Sequence, residues 1–487
     1  RISRLRRCQG SGQAVIIAPC NKRGCFQRGR SMQTEQTEVQ DVLTFADKTR
    51  SDYEKTLKAF VDLASVSMEP ERRPEIDATA EMGAKLLKSM GAAAEVVKTA
   101  GYPIVMGEFH RGSQYPTVTV YNHLDVQPAL ASEWNSPPFD MQIENGVYRG
   151  RGTTDDKGPA LAVLNAAHYA HNQGLPINIK FIWELEEEIG SPSFDQFLKD
   201  NLGKLSTSSV VVSDTIWVSR ERPAIPYGLR GLQAVLIRLK TGVKDVHSGT
   251  TGGLARNPIG EMAQLLNSIY DAKTGEVKIP GFYDKVKPVD RDELDNFVAS
   301  GFTVANFKCA HELTHTRTED ARDGARRIWA HPTFEVHGIT GGYAGPGVKT
   351  IVPYQCEAKV SMRLVPDQDP EATFNLLKEF VEKQGDFQVL KEGSLKPFLG
   401  EFRGAFAEAA KAAMQSAFGV EPAFTREGGS IGAVVSMQDR LDVPITFLGL
   451  SLPEHGYHAI NENFDWQQAR GGMAMFVEYF KRLSAIK

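Results

Sequence analysis

The chain has 487 residues, more than a single compact core usually holds, so two or three domains are expected. Its composition, 41% hydrophobic and 24% charged, is that of a globular protein, and no apolar run nears the roughly 20 residues of a membrane helix, so no membrane partner is expected. The net charge of −4 conceals a division: residues 1–31 carry eight basic residues and no acid, which leaves 48 basic against 60 acidic residues, a net of −12, in the remainder. An acidic body argues against a nucleic-acid partner.

Residues 1–40 read as a basic leader, disordered or not native, ahead of a start at Met32. The Arg-rich, acid-poor head also has the look of an organelle transit peptide. Cys8, Cys20 and Cys25 lack paired metal spacing, and Cys309 and Cys356 stand alone, so a reduced, cytoplasmic setting is expected.

Residues 53–66 and 76–91 have helical periodicity, the second closed by Gly91. The β-rich run YPTVTVYNHLDV follows, then a helical DDKGPALAVLNAAHYAHNQG, then the strand-like INIKFIWELEEE and SSVVVSD. This alternation predicts an α/β catalytic domain around a mostly parallel, buried sheet, with its first part over 41–226. From about Tyr227 to Ser394 the texture changes. GLQAVLIRLKTG, WAHPTFEVHGIT and YQCEAKVSMRLVP alternate as half-buried antiparallel strands do, and NPIGEMAQLLNSIYDA and PEATFNLLKEFVEKQG read as helices. The expectation is an α+β domain, 227–394, inserted into the first. Residues 395–487 complete the catalytic domain with the helix-like FRGAFAEAAKAAMQSAFG, the strand VPITFLGLS and a last helix from about Phe464 to Ser484.

The predicted strands end in acids and histidines. His123 and Asp125 follow the first, Glu187 and Glu188 the second, Asp214 the third, while GRGTTDDKGP places Asp155 and Asp156 at a helix start. In open α/β sheets ligands bind at the carboxyl ends of the strands, so these loops should converge. That much negative charge calls for cations, and mixed His and carboxylate donors suit zinc, manganese or cobalt. In H-x-D, the Asp125 carboxylate can orient the His123 ring through its second nitrogen. SLPEHGYHAIN supplies two further histidines, His455 and His458.

HLDVQP, GRGTTDDKGP, EEIGS, SD and GYHAINE together resemble the two-metal metallopeptidase family of carboxypeptidase G2, aminoacylase-1 and succinyl-diaminopimelate desuccinylase, from about Asp41 to the end. The carnosine and cytosolic non-specific dipeptidase branch is the nearest in likeness, through WNSPPF, VHSG, GVKTIVP, SMRLVP and TREGGSIG. The resemblance implies a metal pair held by His123, Asp155, Glu188, Asp214 and His458. Asp155 would bridge, and its peptide bond to Asp156 would be cis. It implies Glu187 as general base for the attacking water, and a small peptide as substrate. His247 would reach the site of a partner subunit, with Thr350, Arg363 and Ser430 lining the substrate site and Arg363 gripping a C-terminal carboxylate. The inserted domain would be a lid through which two chains form a homodimer. Asp rather than Glu at 214 resembles the peptidase members. The alternative is an N-acyl-amino-acid amidohydrolase on the same scaffold. EEIGS departs from the commoner EESGS, with Ile189 expected to pack behind the base, and residues 300–320 have no likeness to the dipeptidases.

That unmatched segment contains CAHELTH, whose H-E-x-x-H would make His311 and His315 zinc ligands and Glu312 the base of a zincin-type protease. The polar continuation through Thr316 and Thr318 is poorly helical and lacks an evident third ligand. A surface helix of the lid is the expectation here, with His311 and His315 on one face. His331, His337 and His455 are expected to be structural.

Overall fold

A computed structural model describes residues 24–486, with side chains from residue 36 onward. Residues 1–23, the greater part of the expected leader, fall outside that range. The first described helix, α1 (Gly24–Val61), continues through the leader boundary expected at residue 40. Val42, Ala46, Tyr53, Leu57 and Phe60 on it are buried, which ties the segment into the main core. Helix α2 (Arg73–Ser89) follows.

Strands β1 (Ala93–Val97), β2 (Ile104–Phe109), β3 (Thr117–His123), β4 (Asn178–Glu184) and β5 (Ser209–Val212) come next, with helix α3 (Lys157–Asn172) between β3 and β4. The second sheet takes β6 (Gly231–Lys240), β7 (Thr333–Gly341), β8 (Gln355–Leu364) and β9 (Gln388–Leu395), with helices α4 (Pro258–Ile269) and α5 (Pro370–Glu382). Helix α6 (Ala405–Phe418), strand β10 (Ile445–Phe447) and helix α7 (Trp466–Leu483) return to the first body.

The central sheet has the order β1-β2-β4-β3-β5-β10. Its four strands β4, β3, β5 and β10 are parallel, and β2 and β1 are added antiparallel at one edge. The parallel strands are buried nearly throughout, which is why VVV and FIW read as unbroken apolar runs. Parallel strands align their carboxyl ends, and the loops after His123, Glu184 and Val212 therefore open on one edge.

The insert is an antiparallel sheet in the order β7-β8-β6-β9, with α4 and α5 packed on it around a core of its own. The chain changes sheet at Arg230, between the body strand Ala224–Leu229 and β6. Residues 291–330, expected within the lid, pack instead on a third, small sheet formed by the strands Phe398–Leu399, Ala224–Leu229 and Ala423–Glu427. Phe297, Phe302, Val304 and Trp329 cluster there with Tyr227, Phe402 and Phe424. Asn296 Nδ2 donates to the Phe424 carbonyl at 2.7 Å, and Glu293 accepts from both Tyr227 and Arg426. No helix among the described residues is long and apolar enough to cross a membrane.

One glycine sets the geometry of the Asp155 loop. A Cβ on Gly158, in the first turn of α3, would stand 2.2 Å from the Thr153 carbonyl and 2.7 Å from the Phe464 ring. Gly158→Ala must therefore displace the loop that presents Asp155. The expected cost is about 1–3 kcal/mol, with a lower melting temperature and less metal retained after gel filtration. Wild-type values for both would contradict this packing.

Candidate active site

The loops that follow β3, β4 and β5 bring His123, Glu187, Glu188 and Asp214 to the same edge as Asp155. His123 ends β3 fully buried, and its Nε2 is 2.9 Å from Asp155 Oδ1 and 3.8 Å from Asp214 Oδ2. His458 approaches from the loop after β10, with its Nε2 3.1 Å from Asp155 Oδ2 and 3.3 Å from Glu188 Oε2. Asp155 thus offers one oxygen to each imidazole. Potential ligand atoms of His123, Glu187 and Asp214, and of His123, Asp155 and Glu188, lie within 4.8 Å of one another. The Asp155–Asp156 peptide is cis. His458 has a φ of 55°, an uncommon conformation for a residue with a Cβ.

The electrostatics of this edge are those of a site short of positive charge. Burial, reinforced by Asp214, Glu188 and Asp125 and opposed by His123, pushes the Glu187 carboxyl well above its ordinary range. Burial likewise raises Asp156, Glu188 and, to about 6, Asp214. Burial alone would depress His123, yet Asp125, Asp155 and Asp214 hold it well above an ordinary imidazole. Asp155 Oδ2 is buried against the His458 imidazole, 3.1 Å away. Buried imidazoles beside a surplus of buried carboxylate oxygens are a donor set that fits divalent cations.

Asp125 does more than the expected orientation of His123. The ring Nδ1 donates chiefly to the Asp125 backbone carbonyl at 3.0 Å, with the carboxylate at 3.4 Å. Both carboxylate oxygens instead accept backbone N–H groups, from Glu187 at 3.2 Å and Glu188 at 3.0 Å. This single side chain therefore holds the turn Glu187–Ile189, which Gly190 ends at a φ of 85°. Ile189 is 39% exposed, so the expected packing behind the base does not occur. The turn directs it outward.

Several participants were not picked out from the sequence. Tyr457 donates to Asp214 Oδ1 at 2.7 Å, and Gln127 donates to Glu188 Oε2 at 2.7 Å. Buried Glu462 accepts the N–H groups of Gly152, Thr154 and Asp155 at 2.9, 2.9 and 3.1 Å and pairs with Arg151 at 2.9 Å. Burial pushes its carboxyl up to about 7 against the pull of Arg151. All three lie inside motifs already quoted, HLDVQP and GYHAINE, but the residue type alone did not disclose partners 61 positions away for Gln127, 243 for Tyr457 and 308 for Glu462 with Thr154.

The remaining expected residues fall into two groups. Arg363, on β8, donates to Ser430 Oγ at 3.1 Å, so lid and body meet there. His247 and Thr350 sit elsewhere on the lid: His247 pairs with Ile351 in a two-residue ribbon, and the Thr350 carbonyl just before it accepts the Ser248 N–H at 3.0 Å. His247 is exposed, with its Nδ1 accepting the Gly249 N–H at 2.9 Å. His455 is buried between Thr154, at 3.2 Å, and Asp465, at 3.1 Å. His337 bonds Ser361 at 2.7 Å, and His331 stacks on Tyr283.

CAHELTH does not form the expected helix. Helix Val304–Ala310 takes in only its first two residues, His311 is the C-cap, and Glu312 has a φ of 51°. His311 and His315 are therefore not on one helix face, and both are exposed. His311 packs on Phe307 and His315 bonds Thr314. A zincin site needs that shared face, so the zincin alternative is overturned.

Residues 119–482 match the model of peptidase family M20/M25/M40. The chain belongs to that family. It is a peptidase of a metal-dependent class, and its cluster of candidate ligands accords with divalent metal use. It is 29% identical over 474 residues to the Beta-Ala-His dipeptidase of Rattus norvegicus, covering 92% of this chain and 96% of that one. It is 31% identical over 401 residues to the Cys-Gly metallodipeptidase DUG1 of Saccharomyces cerevisiae, with 78% and 82% covered. Among solved structures it is similar to the M20 family metallo-carboxypeptidase Sso-CP2 from Sulfolobus solfataricus, at a TM-score of 0.83 and 30% identity over 89% of this chain and 99% of that one.

Asp125→Ala should free the turn that carries Glu187 and Glu188 while leaving both side chains intact. Peptidase activity is expected to fall about 10–100-fold together with metal affinity, whereas Ile189→Ser should leave both within twofold. Equal effects of the two substitutions on activity would contradict the role given to Asp125.

Proposed function

We propose that the protein is a homodimeric, cytoplasmic two-metal exopeptidase that hydrolyses dipeptides and short peptides with a free C-terminal carboxylate. The supporting observation is the closeness of an anion anchor to the base. Arg363 and Ser430 form the anchor, and two residues beyond Ser430 the chain abuts the turn of Glu187. A Cβ on Gly432 would stand 2.9 Å from the Gly190 carbonyl. A peptide carboxylate held by Arg363 thus places the last peptide bond within reach of the edge occupied by Glu187. The relatives named above as dipeptidases and a metallo-carboxypeptidase support the same reading.

His123, Asp155, Glu188, Asp214 and His458 would hold two cations, with Asp155 between them. Zinc suits the donors, and manganese or cobalt would serve. When bound, such ions supply Lewis acidity and an acidified water. Glu187 accepts the proton of the attacking water and returns it to the departing amine. His247 of the partner subunit, with Thr350 beside it, would donate to the developing oxyanion.

Support for the dimer comes from the lid surface. Val243, Leu254 and Val348 are 84%, 92% and 94% exposed, and Tyr343 is 47% exposed on the same unit. Apolar side chains so open to water are the composition of an interface.

A panel of dipeptides, N-acetyl amino acids and N-succinyl amino acids tests the substrate class, and dipeptides are expected to be preferred by at least tenfold in kcat/KM. Preference for the acylated amino acids would establish the amidohydrolase alternative. In sedimentation, Leu254→Asp/Val348→Asp should yield monomers with peptidase activity reduced about 100-fold or more, as loss of oxyanion donors costs. A monomer with full activity would refute the sharing of His247.

A further inference from the structure

Arg230 occupies the point where the chain passes from body to lid, and the passage is tight. A Cβ on Gly231 would stand 2.6 Å from the Leu395 carbonyl, on the returning strand. The backbone carbonyl of Arg230 accepts the Ser430 hydroxyl, and that same hydroxyl oxygen accepts from Arg363 Nη1 at 3.1 Å. Ser430 is therefore shared between the two arginines.

The two guanidiniums have little else. Arg230 Nε donates to the Gly428 carbonyl over a long 3.4 Å. Among the described residues neither arginine is ion-paired with a carboxylate. The acid that acts on Arg230 is Glu335, which stands 3.9 Å from Arg317. Burial, then the charge of Arg363, lowers the Arg230 pKa to about 10, and burial lowers that of Arg363. The flanking residues do not relieve the excess. Arg326 is engaged by Asp323 at 2.7 Å, and His331, depressed to about 4 by burial and then by Arg326 and Arg327, stays a neutral imidazole. Two adjacent, partly desolvated cations lack anions of their own, an arrangement that is costly until a ligand supplies them.

We propose that Arg230 is a specificity-determining residue that joins Arg363 in binding a dianionic C-terminal residue, so that the preferred substrates are peptides ending in Asp or Glu. This rests on the exopeptidase reading above. The main-chain carboxylate takes Arg363 and Ser430, and the side-chain carboxylate takes Arg230. A peptide with a neutral last residue neutralises one guanidinium and leaves the other desolvated and unpaired. A guanidinium can hold a carboxylate through charge-assisted, bidentate hydrogen bonds, which suits both arginines to this task.

The pair Gly-Glu and Gly-Gln, nearly identical in shape, isolates the second charge. With metal-loaded wild-type enzyme, kcat/KM for Gly-Glu is expected to exceed that for Gly-Gln by on the order of tenfold. Arg230→Gln should bring the ratio close to one, and Arg230→Lys should restore part of it, while Arg363→Gln should depress both peptides. A purely structural Arg230 would lower both rates and leave the ratio unchanged. Should Arg230→Gln misfold, inhibition of the wild type by free glutamate against free glutamine reads the same preference without a variant. A wild-type ratio near one, or a ratio untouched in Arg230→Gln, would overturn the proposal. If the wild type hydrolyses neither these nor any other dipeptide, the exopeptidase reading itself falls, and this proposal with it.

Discussion

Mutual repulsion among carboxylates at one sheet edge is the constraint around which the molecule is arranged. Asp125, Asp155, Asp156, Glu187, Glu188 and Asp214 share that edge, and burial raises four of them. A fold that tolerates such a cluster must fix each carboxylate with donors and receive cations to balance the rest. The fixing groups are visible: the Asn122 amide on Asp156 at 2.7 Å, Tyr457 on Asp214 and Gln127 on Glu188. Asp125 works in the other direction, as an acceptor for the turn of the base. Glu462 does the same for the Asp155 loop. Two carboxylates thus serve as backbone clamps, and Asp155, Glu187, Glu188 and Asp214 supply the candidate ligand oxygens.

The parallel sheet explains how distant segments meet there. Strands that run together end together, so residues 123, 187–188 and 214 become neighbours without any local signal linking them. The cores of the two units are separate, and the chain passes between them at Arg230 and again after Leu395. The anion anchor lies at this junction. Any movement of lid against body is therefore felt at Arg363 and Ser430, which belong to opposite sides. The helical segment 291–330 braces the junction through Glu293, Tyr227 and Arg426.

Much of this was legible from residue order. Strand-end acids announce a site because polar residues at the ends of apolar runs have few other reasons to recur. Periodicity placed α3, α6 and α7 to within a few residues, and alternation separated the lid strands from the body strands. Three features resisted for physical reasons. CAHELTH matched a metal motif because three fixed residues in five positions ignore backbone conformation, and the helix that the motif requires stops at Ala310, with a positive φ following at Glu312. Ile189 was expected inward because it is apolar, but the turn around the base leaves no inner face at that position. Glu462 and Tyr457 owe their partners to tertiary contact across hundreds of residues, which no local pattern encodes.

Metal content per chain tests the central assignment most directly. It would be determined by elemental analysis for the wild type, Asp155→Ala and His311→Ala/His315→Ala. The expected result is two divalent ions in the wild type, two in the double histidine variant with peptide hydrolysis intact, and a loss of both ions and activity in Asp155→Ala. Retention of two ions by Asp155→Ala, or their loss from the double histidine variant, would show that the metal centre is not at the sheet edge.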